Sequence, residues 1–277
     1  MKYLEEPKTY DEHIKLMETK GIRFKDKFKS TKFLENINYY KINKYLKSFT
    51  SKAENNKPVY FEDVIENYYF DRELRNTLLG LIEIIETSIK SKITYTLVHS
   101  TKDPFAHTKE ENFQNKKLHK LFLDILNKEE KRSKEPFIKE YRKKYKLEKE
   151  LPLWISIEVL SLGTISKLYT NLNNKEKKKI AKSYGLSFKI LESWLRNLTL
   201  IRNFSAHNSK IIDREYNALV HAKEINNMNA KKLSGQTLMI KYLIKQIEGD
   251  YDFLRIDNLM EELNQKNSNR CSRANGK

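Results

Sequence analysis

Three residues in the last third of the chain carry the most chemical capacity. They are Arg202, Asn203 and His207, in the run Leu195-Arg196-Asn197-Leu198-Thr199-Leu200-Ile201-Arg202-Asn203-Phe204-Ser205-Ala206-His207-Asn208. Arginine presents a planar, permanently charged fork that matches a phosphodiester. Histidine titrates near neutrality and can move a proton. The Asn203 amide can orient either group. This set suits cleavage of RNA by its own 2′-hydroxyl, a reaction that requires no metal. An arginine and a histidine separated by four residues are also a short pattern that chance produces often. The competing account has His207 buried and hydrogen-bonded to backbone, and Arg202 paired with a core carboxylate.

The residues leading into the motif say what must position it. Leu195, Leu198 and Ile201 recur at helical spacing and predict a buried helix. On such a helix Asn203 and His207 share a face at i,i+4. Arg202 and His207 are five apart and point about 140° away from each other. The arginine must therefore reach round, the helix must end nearby, or a second copy of the chain must supply one partner. Tyr184-Gly185-Leu186-Ser187 reads as a stop and restart, with Ser187 able to cap the helix through Leu191, Trp194, Leu195 and Leu198.

The strongest helical signal lies upstream. Leu74, Leu78, Leu81, Ile82, Ile85, Ile89 and Ile93 fall mostly at steps of three and four, and no proline interrupts residues 59–99. One long central helix, or two in succession, is expected there. Arg75 and Glu83 lie off the stripe, and Glu86 with Lys90 reads as a solvated i,i+4 ion pair. Residues 7–50 read as short helices, the first ending at Gly21. Residues 100–118 look irregular around Pro104, before a helix through Leu118, Leu121, Phe122, Ile125 and Leu126. Leu151-Pro152-Leu153-Trp154 begins a further helix, with Ile155, Val159, Leu160 and Leu162 on a broad apolar face, Glu158 embedded among them, and Gly163 permitting close helix contact. Residues 208–235 are polar and give no clear element. Helices follow at Leu238–Ile247 and Phe253–Leu263, and residues 265–277 are expected to be unstructured. The division read from this pass is an N-terminal helical region (1–58), a helical domain (59–264) and a tail (265–277).

Composition points the same way. Seven glycines and five prolines in 277 residues, with abundant helix formers, argue for an all-α protein. The formal charge is +17, from 54 basic against 37 acidic residues, which favours a polyanionic partner. Plentiful Lys, Asn and Ile also suit an AT-rich genome, so genomic bias can supply part of the excess. Tyr39, Tyr40 and Lys44 sit in an aromatic segment punctuated by lysines, a composition that can stack bases and hold phosphates; half-buried packing is the alternative. Arg142, Lys143 and Lys144 belong to a highly charged run from Lys128 to Glu150. It reads first as a solvated helix face and second as a phosphate-binding edge. No stretch approaches the ~20 apolar residues of a spanning helix. The first residues hold no apolar signal core, and the single cysteine, Cys271, excludes a disulfide framework. The six histidines show no HExxH pairing. No metal, no cofactor and a cytoplasmic location are the resulting expectations.

Four blocks together resemble the Abi-like family of bacterial abortive-infection proteins, close to AbiD and AbiF. They are Ile37-Asn38-Tyr39-Tyr40-Lys41-Ile42-Asn43-Lys44-Tyr45; Phe70-Asp71-Arg72-Glu73-Leu74-Arg75; Leu151-Pro152-Leu153-Trp154 with Glu158 and Gly163; and Ile201 to Asn208. The resemblance covers about residues 10–215. It implies a HEPN-like helical bundle with an additional N-terminal helical region, and a role in phage defence. HEPN nucleases carry an Arg-x4–6-His motif, which Arg202 and His207 match, with a polar residue after the arginine as at Asn203. The resemblance further implies metal-independent RNA cleavage at a site completed by a second copy, hence a homodimer, and association with a small structured noncoding RNA. The sequence departs from many HEPN motifs in lacking a clear upstream acidic element, with Glu192 nearby. The alternative function is a non-catalytic RNA-binding protein whose activity depends on a bound noncoding RNA. A helical interaction protein without nucleic acid is the third.

Overall fold

The computed structural model describes residues 6–50, 58–216, 229 and 231–275. The expectation that residues 208–235 form no clear element therefore falls partly outside the described residues. The fold is all-α, with twelve α-helices among the described residues. The one pairing of strands among them joins β1 (Ile22–Arg23) to β2 (Val59–Tyr60) in parallel. The chain divides into two compact units. The first comprises Met1–Thr77, Ser205–Arg214 and Phe253–Lys277; the second comprises Leu78–Phe204 and Glu215–Asp252.

In the first unit, α1 (Tyr10–Glu18) starts at a capping box in which Thr9 and Glu12 satisfy each other's backbone N–H groups. It ends just before Gly21, whose φ of +80° places it in the left-handed region glycine tolerates. α2 (Lys27–Asn36) is capped by Asp26, and α3 spans Tyr39–Thr50. Met17, Ile22, Leu34, Ile42, Tyr45, Phe61 and Val64 form the buried interior. α12 runs from Leu254 to Asn275, so residues 265–275 are helical where an unstructured tail was expected, and residues 276–277 lie outside the described residues. Ile256, Leu259 and Leu263 bury its start. Once those turns are packed, each further residue adds a backbone hydrogen bond at little nucleation cost, even in a polar sequence. Lys266 supports the extension by pairing with Glu262 one turn back and lying over the Phe70 ring.

The expected stripe builds one uninterrupted helix, α4, from Phe61 to Thr101. All seven stripe residues are buried. Burying each leucine or isoleucine contributes about 1.5–3 kcal/mol, against a few tenths lost to the weaker helix preference of isoleucine. Packing, not propensity, therefore holds this helix. In the second unit α5 (Lys116–Arg132) packs against α8 (Leu162–Asn171), followed by α9 (Asn174–Lys182), α10 (Phe188–Ala206) and α11 (Leu233–Lys245). α6 (Pro136–Lys144) carries the basic triplet at its last turn.

The segment from Leu151 departs from expectation. In place of one amphipathic helix it forms a single turn, α7 (Leu153–Ser156), then a 3-10 turn over Ile157–Val159, and restarts as α8. Ser161 caps α8 by accepting from the Thr164 N–H, so the chain must leave helical geometry at Leu160. The break turns Glu158 outward. It is exposed rather than embedded, and Trp154 is exposed as well. Gly163 does allow close contact: a Cβ there would lie 3.2 Å from Thr199 Cγ2 of α10. Lys90 corrects another expectation. It is buried, lies 3.5 Å from Glu86 and donates to the Glu158 carbonyl at 3.2 Å, so the pair is a structural tie rather than a solvated one. No helix among the described residues is long and apolar enough to cross a membrane.

Candidate functional site

α10 presents the motif at its C-terminal end. Ser187 begins the helix, its Oγ accepting from the Ile190 N–H. Leu191, Trp194, Leu195, Leu198 and Ile201 bury one side of it. The last helical residue is Ala206, and Asn208 ends the helix in the left-handed region at φ +54°, donating its N–H to the Ser205 carbonyl. Asparagine is one of the few residues other than glycine that accept this conformation. His207 thus lies in the turn that ends α10 rather than within a continuing helix. His207 and Asn203 are exposed and Arg202 is half-buried. Among the described residues, none of the three side chains has a hydrogen-bond or ion-pair partner. The chain does not form the buried histidine and core-paired arginine of the competing account.

The segment after His207 is held by a network that sequence reading assigned no role. Asp71, wholly buried on α4, accepts from the N–H groups of Ile211 at 3.0 Å and Ile212 at 2.9 Å through one carboxylate oxygen. Its other oxygen accepts the Tyr45 hydroxyl at 2.7 Å and is paired with Arg75 one turn along the helix. Four donors saturate a carboxylate. Arg75 also reaches the Ser209 carbonyl at 3.5 Å. Arg75 is therefore buried, a correction to its placement off the stripe. Burial, and then the Asp71 charge, push the Tyr45 pKa well above its ordinary value, so the phenol stays a donor. The signal that could have found this network is Asp and Arg at i,i+4 beside Leu74 and Leu78. Two charges on the buried side of a helix must answer each other.

The proposed RNA contacts separate. Tyr39 is buried, its ring stacked on His13 at 4.2 Å and its hydroxyl taking a hydrogen bond from Lys20. That face is used inside the protein, which corrects its reading as a base-stacking residue. Tyr40, next in the chain, is 62% exposed. Lys44 is exposed and lines a cleft with Lys47, Ser48, Lys210 and Arg214. Lys47, Lys210 and Arg214 were not singled out from the sequence. They come together only because residues 209–212 are pinned against α3 and α4. Nearby, burial and the charges of Arg75 and Lys44 lower the Lys41 pKa. Arg142, Lys143 and Lys144 lie in the other unit and are all exposed. Arg142 approaches the buried Glu130 at 3.5 Å, and Ser156 donates to the same carboxylate at 2.6 Å. Glu192 is engaged with the buried Lys177 at 2.8 Å, which also donates to the Thr170 carbonyl. Its charge is thereby committed to holding α9 on α10.

No curated protein and no solved structure matches the chain. A family model described as Abi-like protein matches residues 32–213, about two thirds of the length. The match runs from α2, through the Asp71–Arg75 network and α10, to the segment that network holds. On that extent the chain belongs to the Abi-like family.

Proposed function

We propose that the protein is a metal-independent endoribonuclease of the HEPN type, acting as a homodimer and associated with a small structured noncoding RNA. Its family membership suggests a role in abortive infection of phage. The observation that carries the nuclease reading is the display of Arg202, Asn203 and His207 on the last turns of α10, exposed or half-exposed and without partners among the described residues.

In this reading the Arg202 guanidinium holds the non-bridging oxygens of the scissile phosphate and stabilises the charge that builds there. The 2′-hydroxyl oxygen attacks the adjacent phosphorus, and the bond to the 5′-oxygen breaks. His207 transfers a proton, either from the 2′-hydroxyl or to the departing 5′-oxygen, and its counterpart in the second copy serves the other end. Asn203 orients the pair. The products carry a 2′,3′-cyclic phosphate and a 5′-hydroxyl. His207→Ala should abolish cleavage and toxicity in cells while leaving RNA affinity within about twofold; full cleavage by that variant would falsify the assignment.

The charge of +17 supports a second reading, a non-catalytic protein that holds the noncoding RNA. Sequencing RNA that co-purifies from the native host, ends included, separates the two. Cyclic-phosphate ends favour the nuclease; intact RNA that co-purifies alike with the parent and with His207→Ala, the two having the same effect on growth, favours the binder.

A further inference from the structure

We propose that the pocket between α5 and α8 binds a small amphipathic anion, an aliphatic chain that ends in a carboxylate. The site does not include Arg202, Asn203 or His207, and it does not depend on RNA as the partner.

α5 carries more apolar surface than α8 covers. His119, Phe122 and Leu126 stand at i, i+3 and i+7 and are buried. Leu118, Leu121 and Ile125 repeat that spacing one residue earlier, on the neighbouring face of the helix. Leu118 is 50% and Leu121 57% exposed. Together with Phe122 and with Leu168 of α8 they line a pocket of about 550 Å³ whose walls are chiefly hydrocarbon. A volume of that order holds a small molecule, and contiguous apolar surface open to water marks a binding site where single exposed leucines do not. The two helices are locked together beside it. The Asn171 side chain accepts from the Asn115 N–H at 2.9 Å and donates to the Asn115 carbonyl at 3.0 Å, joining the end of α8 to the start of α5. Walls fixed in this way lower the cost of ordering on binding.

Three cations line the same pocket, one from each of three helices: Lys128 of α5, Lys167 of α8 and Arg196 of α10. All three are exposed, and none has a hydrogen-bond or ion-pair partner among the described residues. Against them stands one lining carboxylate, Asp124. Cations above hydrocarbon walls select a ligand with an apolar body and an anionic head, and a guanidinium meets a carboxylate through two parallel hydrogen bonds. Ser166 also lines the pocket; it is 4% exposed, and its hydroxyl has no partner among the described residues. A nucleobase suits these walls poorly, because its edge needs several donors and acceptors. The other polar groups are committed, Thr170 to the Ser166 carbonyl and Asn171 to Asn115. An aliphatic chain needs none of them.

Calorimetric titration of the full-length protein tests this, with decanoate kept below its micelle concentration and with decanol and acetate for comparison. Decanoate should bind saturably at a single site per chain, about tenfold more tightly than decanol, the worth of one charge-assisted hydrogen bond. Acetate should show no measurable binding. Lys128→Gln/Lys167→Gln/Arg196→Gln should remove the advantage of decanoate and leave decanol binding unchanged. Leu118→Ser/Leu121→Ser should weaken both. A control that removes the same charge elsewhere, Lys175→Gln/Lys178→Gln/Lys182→Gln on α9, should bind both as the parent does. Every substituted residue is exposed, so folding is preserved and is checked by melting. Absence of decanoate binding, or unchanged binding in the leucine variant, would overturn the pocket. Equal affinity for decanoate and decanol, or equal losses in the two charge variants, would overturn the anionic head. Tighter binding of naphthoate than of decanoate would overturn the aliphatic chain in favour of an aromatic body. Decanoate that binds only as it splits a dimer, followed by light scattering, would make a second copy the occupant and overturn the small ligand.

Discussion

At the scale of single residues, the chain separates histidines by environment. His207 stands in the turn that ends α10 and is exposed. His107 is buried, with neither ring nitrogen hydrogen-bonded in the structure, and burial lowers its pKa to about 4. A histidine whose folded pKa lies below its unfolded value of about 6.5 binds a proton more readily when unfolded. Its neutral form therefore contributes stability above about pH 6.5, lost as the pH falls toward 4. The scale of that loss is about 3 kcal/mol, because a tenfold difference in proton affinity between the two states is worth about 1.4 kcal/mol. Urea melts at pH 7.5 and pH 4.5 should show it, and His107→Leu should be less acid-sensitive than the parent. An unchanged acid slope in that variant would show that other groups govern the limb.

At the scale of elements, α4 and α3 hold the short stretch of backbone that follows α10. The Asp71 carboxylate accepts two N–H groups from a segment with no helix or strand partner of its own. Removing one member of a buried pair leaves its partner charged and unanswered, at a cost of about 3–5 kcal/mol. Asp71→Asn should therefore lower stability by that amount and speed amide exchange at Ile211 and Ile212 more than elsewhere in the first unit. If exchange at those two amides stayed at the parent rate, the segment would have to be held by something else. The restart at Ser161 is a second element-scale event: one side-chain cap ends an apolar run that periodicity alone would continue.

At the scale of the whole molecule, charge is the property that selects partners. A chain at +17 attracts polyanions over distances of a Debye length and releases counterions on contact. On the proposed reading of RNA as the partner, binding of single-stranded RNA should weaken linearly in log salt. Four contacted phosphates correspond to about a fiftyfold loss between roughly 50 and 200 mM salt. A salt-independent affinity measured over that range would be incompatible with phosphate recognition.

What the amino-acid order determined by itself was local and periodic. The stripe from Leu74 to Ile93 specified α4, because only one face of a 3.6-residue repeat could be apolar. Ser187 and the leucines after it specified α10, and Gly163 marked a close approach. Which face of an element meets which neighbour was not determined locally. Tyr39 and Tyr40 are identical in type and adjacent, yet one stacks on His13 and the other faces water. Arg75 looked like a surface charge until the backbone of residues 209–212, more than 130 positions away, supplied its surroundings. The basic cleft exists only because Asp71 draws that distant segment to α3. Such long-range pairing leaves no periodic trace in a sequence; packing of elements decides it.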